Sequence, residues 1–108
     1  MDYYCYLLTN EYNNTYIGIT NNLESRLKKH NKILKGGAKS TRKSTNWKYC
    51  YITGLFTKSE AGSFEWYWKH YLNKNLKWTR TSTLNQRSQR LQELLSEDKW
   101  NKIEMYNI

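Results

Sequence analysis

The sequence predicts an α+β domain built around a small, largely antiparallel sheet, and three observations carry that reading. Short runs rich in aromatic and aliphatic residues alternate with stretches of helical period. Asn and Gly clusters punctuate them at turn-like positions. A chain of 108 residues is enough for one compact core and too short for two.

The elements follow in order. Tyr3 to Thr9 reads as a strand with Tyr4, Tyr6 and Leu8 on one face. Asn10-Glu11-Tyr12-Asn13-Asn14 reads as a turn, because Asn tolerates left-handed backbone and bonds to its own main chain. Thr15 to Thr20 then returns as the second strand of a hairpin. Asn21 or Asn22 caps a helix expected to run to about Leu34 and to end at Gly36-Gly37. A basic, Ser/Thr-rich loop through Asn46 leads to a third strand, Trp47 to Thr53, closed by Gly54. Thr57 and Glu60 form a capping box for a helix from about Lys58 to Asn73. Ser82 or Thr83 caps a last helix with Leu84, Leu91, Leu94 and Leu95 on one stripe, and the tail with Trp100 and Ile103 packs back or frays. Residues 1–75 are expected to form the domain proper, and residues 76–108 a helical extension packed on it or continuing it.

Composition narrows the function classes. No stretch approaches the roughly 20 apolar residues of a membrane span, and Met1-Asp2-Tyr3 lacks the start of a secretory signal, so a soluble intracellular protein is expected. Cys5 and Cys50 are too few for a disulfide framework or a zinc site, and read as buried free thiols of a reducing compartment. The ten Tyr and five Trp exceed what a core of this size absorbs, leaving some rings for the surface. The net charge is +9, and its placement points to a polyanion. Between Ser25 and Ser59 there is no Asp or Glu, while ten Lys and Arg residues fall there; the other eight basic residues face nine acidic ones. Of the ten, Lys28, Lys29, Lys35, Lys39, Arg42 and Lys43 are the expected phosphate contacts, and an ordinary solvated lysine-rich face is the competing reading.

Three polar side chains break their local period. In the first helix Leu23, Leu27 and Leu34 make the inward stripe, yet His30 falls on it and Arg26 stands one turn away on the same edge. In the second, Glu65 lies among Ala61, Phe64, Trp68 and Leu72. A carboxylate in an aromatic stripe is costly unless paired or metal-bound. An internal ion pair to Arg26 and ligation of a hard cation such as Mg²⁺ both answer that cost. The set suits phosphodiester hydrolysis: Glu65 for a metal, Arg26 for a phosphate, and His30 or a strand tyrosine to accept or relay a proton.

These residues resemble the signature of the GIY-YIG nucleases. Tyr16-Ile17-Gly18, preceded by Tyr4-Cys5-Tyr6, is similar to the family's double motif, followed by Arg26, His30 and Glu65 at the expected places. Lys29-His30-Asn31, Lys35-Gly36-Gly37-Ala38 with Thr41, Trp47, and Phe64-Glu65-Trp66 with Trp68 resemble one branch, the catalytic subunits of eukaryotic structure-specific endonucleases that resolve branched DNA. The resemblance covers about residues 3 to 74. It implies a three-stranded antiparallel sheet flanked by helices, one Mg²⁺ or Mn²⁺ on Glu65, and Arg26 at the scissile phosphate. It further implies Tyr6 as general base, with Tyr16 and His30 positioning water or phosphate. A later polar residue of the family corresponds to Asn73 or Asn75.

The departures are specific. Tyr4 replaces a glycine in the first motif, and Ser25 stands where many members of the branch have a second arginine. No Cys or His follows His70, so the resemblance stops short of the branch's zinc-binding RING-like module and no dependence on its scaffold partner is expected. A free-standing nuclease, viral or from a mobile element, fits that pattern. Two rival readings remain at this level: a module of the same fold without catalysis, and an aromatic-rich RNA-binding protein.

Overall fold

A computed structural model describes residues 2–106. The expected hairpin forms from β1 (Tyr3–Thr9) and β2 (Thr15–Thr20), with Asn13 left-handed in its turn and the Asn10 side chain bonding the main chain of Tyr12 and Asn14. β3 (Lys48–Phe56) pairs antiparallel on the other side of β1 and runs through Gly54 rather than ending there. The tail neither frays nor merely packs back: β6 (Glu104–Tyr106) adds a fourth strand beside β3, giving the order β2-β1-β3-β6.

Three helices flank this sheet. α1 spans Leu23–His30, capped by Asn22, whose side chain accepts from the Ser25 amide. It is a full turn shorter than its apolar period suggests. Asn31 closes it, Lys32 turns left-handed, and the Ile33 and Leu34 amides fold back onto the Lys28 carbonyl. Leu34 is therefore exposed instead of inward, and Gly36-Gly37 belongs to the following loop. α2 (Lys58–Lys69) starts with the expected Thr57–Glu60 capping box but stops four residues before Asn73. α3 (Leu84–Ser96), capped by Thr83, supplies the reason: Arg90 Nε donates to the carbonyls of Tyr67 and His70, and Thr81 occupies those of Trp68 and Lys69. With its last carbonyls satisfied from outside, the chain leaves the helix. It enters a second hairpin, β4 (His70–Leu72) with β5 (Trp78–Arg80), on which Leu72 is exposed.

The pleat of β1 sorts its side chains into two cores. Cys5 and Leu7 face α2 and α3 in a dry cluster with Phe56, Phe64, Trp68, Leu91, Leu94 and Trp100. Tyr6 and Leu8 face the other way, with Trp47, Tyr49 and Ile52 and with α1 laid over them. The 76–108 segment takes part in both arrangements, through α3 in the first core and Tyr106 beside the second. Both thiols are free; Cys5 is buried, whereas Cys50 is only partly covered because it sits on β3 near the surface.

Candidate active site

The α1 face of β1 gathers four of the five expected site residues. Tyr6 and Gly18 are directly paired across β1 and β2. A Cβ on Gly18 would come within 2.6 Å of the Tyr6 hydroxyl and 2.8 Å of the Tyr16 ring. Only glycine lets the two tyrosines converge over that strand pair, so the glycine of the motif is a space requirement set by its phenols. Their ring centroids stand 6.3 Å apart, and Tyr16 lies 4.8 Å from the His30 ring.

A hydrogen-bonded chain runs through this group. The Tyr6 hydroxyl is 2.8 Å from His30 Nε2, and His30 Nδ1 is 3.0 Å from Thr41 Oγ1. Thr41 donates its own proton to the Ala38 carbonyl at 2.8 Å, so it can only accept from His30. That fixes the tautomer: Nδ1 carries the proton, Nε2 is the acceptor, and Tyr6 donates to it. Burial, with the nearby Arg26 charge adding, lowers the His30 pKa to about 4, which keeps the ring neutral at physiological pH. Burial likewise pushes the Tyr6 phenol well above its ordinary value. Tyr6 is fully buried, whereas Tyr16 keeps partial exposure.

Arg26 closes the group on its outer side. Its Nε donates to the Tyr6 hydroxyl at 3.4 Å and its Nη1 to the Gly36 carbonyl at 3.0 Å, so the guanidinium is clamped between β1 and the loop after α1. That loop approaches α1 closely at Gly37, where a Cβ would meet the Lys29 carbonyl at 2.5 Å. Asn31 pins the loop's far end, bonding the Trp47 amide and carbonyl, and Trp47 Nε1 donates to the Thr41 carbonyl. Thr41 is thus a second support of His30 that residue periodicity could not have shown, since it comes from a short 3-10 turn, Lys39–Thr41, eleven residues away.

Glu65 lies apart from these four. Its side chain is 25% exposed, and Oε2 pairs with Lys69 at 3.3 Å on the same helix, not with Arg26. It lies close enough to β1 that, after burial, its charge is the next largest influence raising the Cys5 thiol pKa. Among the described residues no hydrogen bond or ion pair joins Glu65 to Tyr6, Tyr16, Arg26 or His30. Nor, among them, does any group of three or more His, Cys, Asp or Glu form a protein-only metal cage. Asn73, one of the two candidates for a later polar residue, spends its side chain building the β4–β5 turn.

The basic residues divide. Lys29, Lys35 and Arg42, with Lys32, line a groove of ≈ 520 Å³ floored by His30, Gly36, Gly37 and Thr41, directly behind the Arg26 clamp. Lys28 is paired with Glu24 at 3.2 Å on the exposed side of α1. Lys39 and Lys43 are exposed, Lys43 bordering a separate hollow beside the start of α3.

A family model described as the GIY-YIG catalytic domain matches residues 2–80. The chain belongs to the GIY-YIG family. The structure-specific endonuclease subunit slx1 of Schizosaccharomyces japonicus is 45% identical over 74 residues, covering 65% of this chain and 27% of that protein. Its Giardia intestinalis homologue is 35% identical over 71 residues, 61% of this chain and 20% of that one. The uncharacterized protein L300 of Acanthamoeba polyphaga mimivirus is 37% identical over 102 residues, which span 92% of this chain and 61% of the viral one. The chain therefore spans about a quarter or less of the length of the slx1 relatives, and the GIY-YIG domain is the part held in common. Among the described residues no helix is long and apolar enough to cross a membrane.

Proposed function

We propose that this GIY-YIG chain is a metal-dependent DNA endonuclease that hydrolyses phosphodiester bonds in branched or flapped DNA. The observation that carries the reading is the Arg26–Tyr6–His30–Thr41 chain: a clamped cation at the surface, backed by a buried neutral imidazole with its acceptor nitrogen aimed at a phenol. A purely structural histidine would not need an arginine held beside it.

In hydrolysis the oxygen of water bonds to phosphorus as the bond to the leaving sugar oxygen breaks, and negative charge grows on the phosphate. Arg26 meets that charge. With Nε and Nη1 fixed, the guanidinium plane is set before substrate arrives, so little ordering remains at the moment of reaction. Tyr16 is the phenol with surface to meet a water. Tyr6, fully buried, acts behind it as a positioning group: its hydroxyl donates to the neutral Nε2 of His30 and accepts from Arg26 Nε, which holds the guanidinium in place. This assignment moves the water-facing role from Tyr6 to Tyr16 and makes Tyr6 the group that positions Arg26.

Glu65 fits a hard divalent cation. It is a partly exposed carboxylate with only Oε2 engaged among the described residues, and Mg²⁺ or Mn²⁺ accepts one carboxylate with water and phosphate oxygens filling the other positions. Bound there, the ion would supply positive charge to the phosphate opposite Arg26. Lys29, Lys35 and Arg42 along the groove, with Lys39 and Lys43 farther out, would hold the backbone beyond the cut.

The deciding experiment compares a flap, a four-way junction and a linear duplex with Mg²⁺ and with EDTA. Cutting of the branched substrates with Mg²⁺ only is expected. Cutting that survives EDTA would remove the metal, equal cutting of all three would remove the branch preference, and no cutting would remove the nuclease.

A further inference from the structure

The β4–β5 hairpin and its surroundings expose apolar surface. Leu76, in its turn, is 80% exposed; Trp78, paired with Leu72 next to the turn, and Trp66 on α2 are 47% and 43% exposed. Leu76 also adopts φ 60°, a region where a bulky residue is an outlier and Asn is at home. Asn75 stands next to it in the sequence, so an easier occupant was one position away. A strained backbone and a bare apolar side chain coincide on one residue.

The arm that presents Leu76 is stiff. The Asn73 side chain accepts from the amides of Asn75 and Lys77 and donates to Thr79, and the Asn73 amide bonds the Lys77 carbonyl. Against α2, Trp66 stacks on His70 at 4.3 Å and meets Trp78 edge-on at 4.9 Å, and Trp78 also packs on Tyr67. Arg90 and Thr81 hold the junction with α2. β4 begins at the residue after Lys69, the partner of Glu65, so the arm leaves the chain directly beside the candidate metal carboxylate.

Its charge has one sign. No Asp or Glu occurs between Glu65 and Glu93, and Lys74, Lys77 and Arg80 are exposed along the hairpin. An apolar tip flanked by cations suits an unstacked nucleic acid better than an ordinary protein surface.

We propose that the hairpin is a branch-point wedge: Leu76 enters the base stack where a duplex arm of branched DNA ends, and Lys74 and Lys77 hold the phosphates on either side. The proposal rests on the branched-DNA reading of the same site and specifies how the branch would be recognised, through the low cost of opening a stack already interrupted.

The test uses a four-way junction with 2-aminopurine beside the branch, whose fluorescence rises on unstacking, and the Glu65→Gln chain with and without Leu76→Asn. Asn suits the left-handed backbone, so the second substitution leaves the fold intact, which the thermal unfolding midpoint checks. A rise of at least about twofold is expected with Glu65→Gln alone, and its loss with the added Leu76→Asn while affinity changes less than about tenfold. An equal rise with both proteins overturns the wedge, as does DNA binding without any rise, the outcome expected if the hairpin serves a protein partner instead. The readout needs no cleavage, so the two readings fail separately. Opening of the junction by the unaltered chain with Mg²⁺ but without cleavage would sink the endonuclease alone. Full branch preference in an active Leu76→Asn chain would sink the wedge alone.

Discussion

Adjacent residues of β1 illustrate how differently the two faces of one strand are used. Cys5 and Leu7 point into a core of Phe56, Phe64, Trp68 and Leu91, with no polar demand to satisfy. Tyr6, between them, points into a hydrogen-bonded face: its hydroxyl holds both His30 and Arg26. The first face makes the fold, and the second carries the chemistry under the proposed function. The two are joined rigidly, because the pleat cannot shift by one residue without exchanging them.

That contrast can be broken by one pair of substitutions. Leu7→Ala should cost about 2–5 kcal/mol of stability through the cavity it leaves, and leave the cleavage rate per folded molecule unchanged. Tyr6→Phe should cost less, about 1–3 kcal/mol for the stranded His30 and Arg26 groups, and slow cleavage by about a hundredfold through their misplacement. Urea unfolding and single-turnover cleavage read both; the same ranking on both scales would dissolve the distinction between the faces.

A smaller effect sharpens it. His30 has a folded pKa of about 4 against an ordinary 6.5. Its depressed value means stability is fully present above 6.5 and is lost as pH falls toward 4, because the unfolded chain takes the proton first. Up to about 3 kcal/mol should disappear over that window. Urea unfolding at pH 7.5 and 4.5 should show the loss in the native chain and a shallower one in His30→Gln. Parallel curves would mean that His30 titrates normally and is not held neutral.

The sequence made the chemical face easier to read than the path of the chain. Arg26 and His30 stood out by their helical spacing and Tyr6 and Tyr16 through the resemblance to the family's double motif, and the structure joins them. Helix ends were less legible. Leu34 fits the period of α1 and Leu72 that of α2, yet both are exposed. α1 ends at His30, capped by Asn31 ahead of the left-handed Lys32, and α2 ends because Arg90 and Thr81, distant in sequence, take its final carbonyls. No local pattern announces such a cap. The second hairpin was hidden for the same reason, and its charge by averaging. The residues outside 25–59 sum to about neutral, which conceals the acid-free stretch between Glu65 and Glu93. The three residues of β6 are too few for alternation to register, and their pairing with β3 is a tertiary event.

In the proposed site Glu65 and the Arg26 cluster are two halves that substrate and a cation would join, and Glu65→Gln tests that union most directly. The substitution keeps the shape of the side chain and removes its charge. Binding of a flap substrate should stay within about threefold while Mg²⁺-dependent cleavage falls by at least about a thousandfold. Cleavage within tenfold of the unaltered chain would mean that the α1 face works without this carboxylate, and that the two halves are not one site.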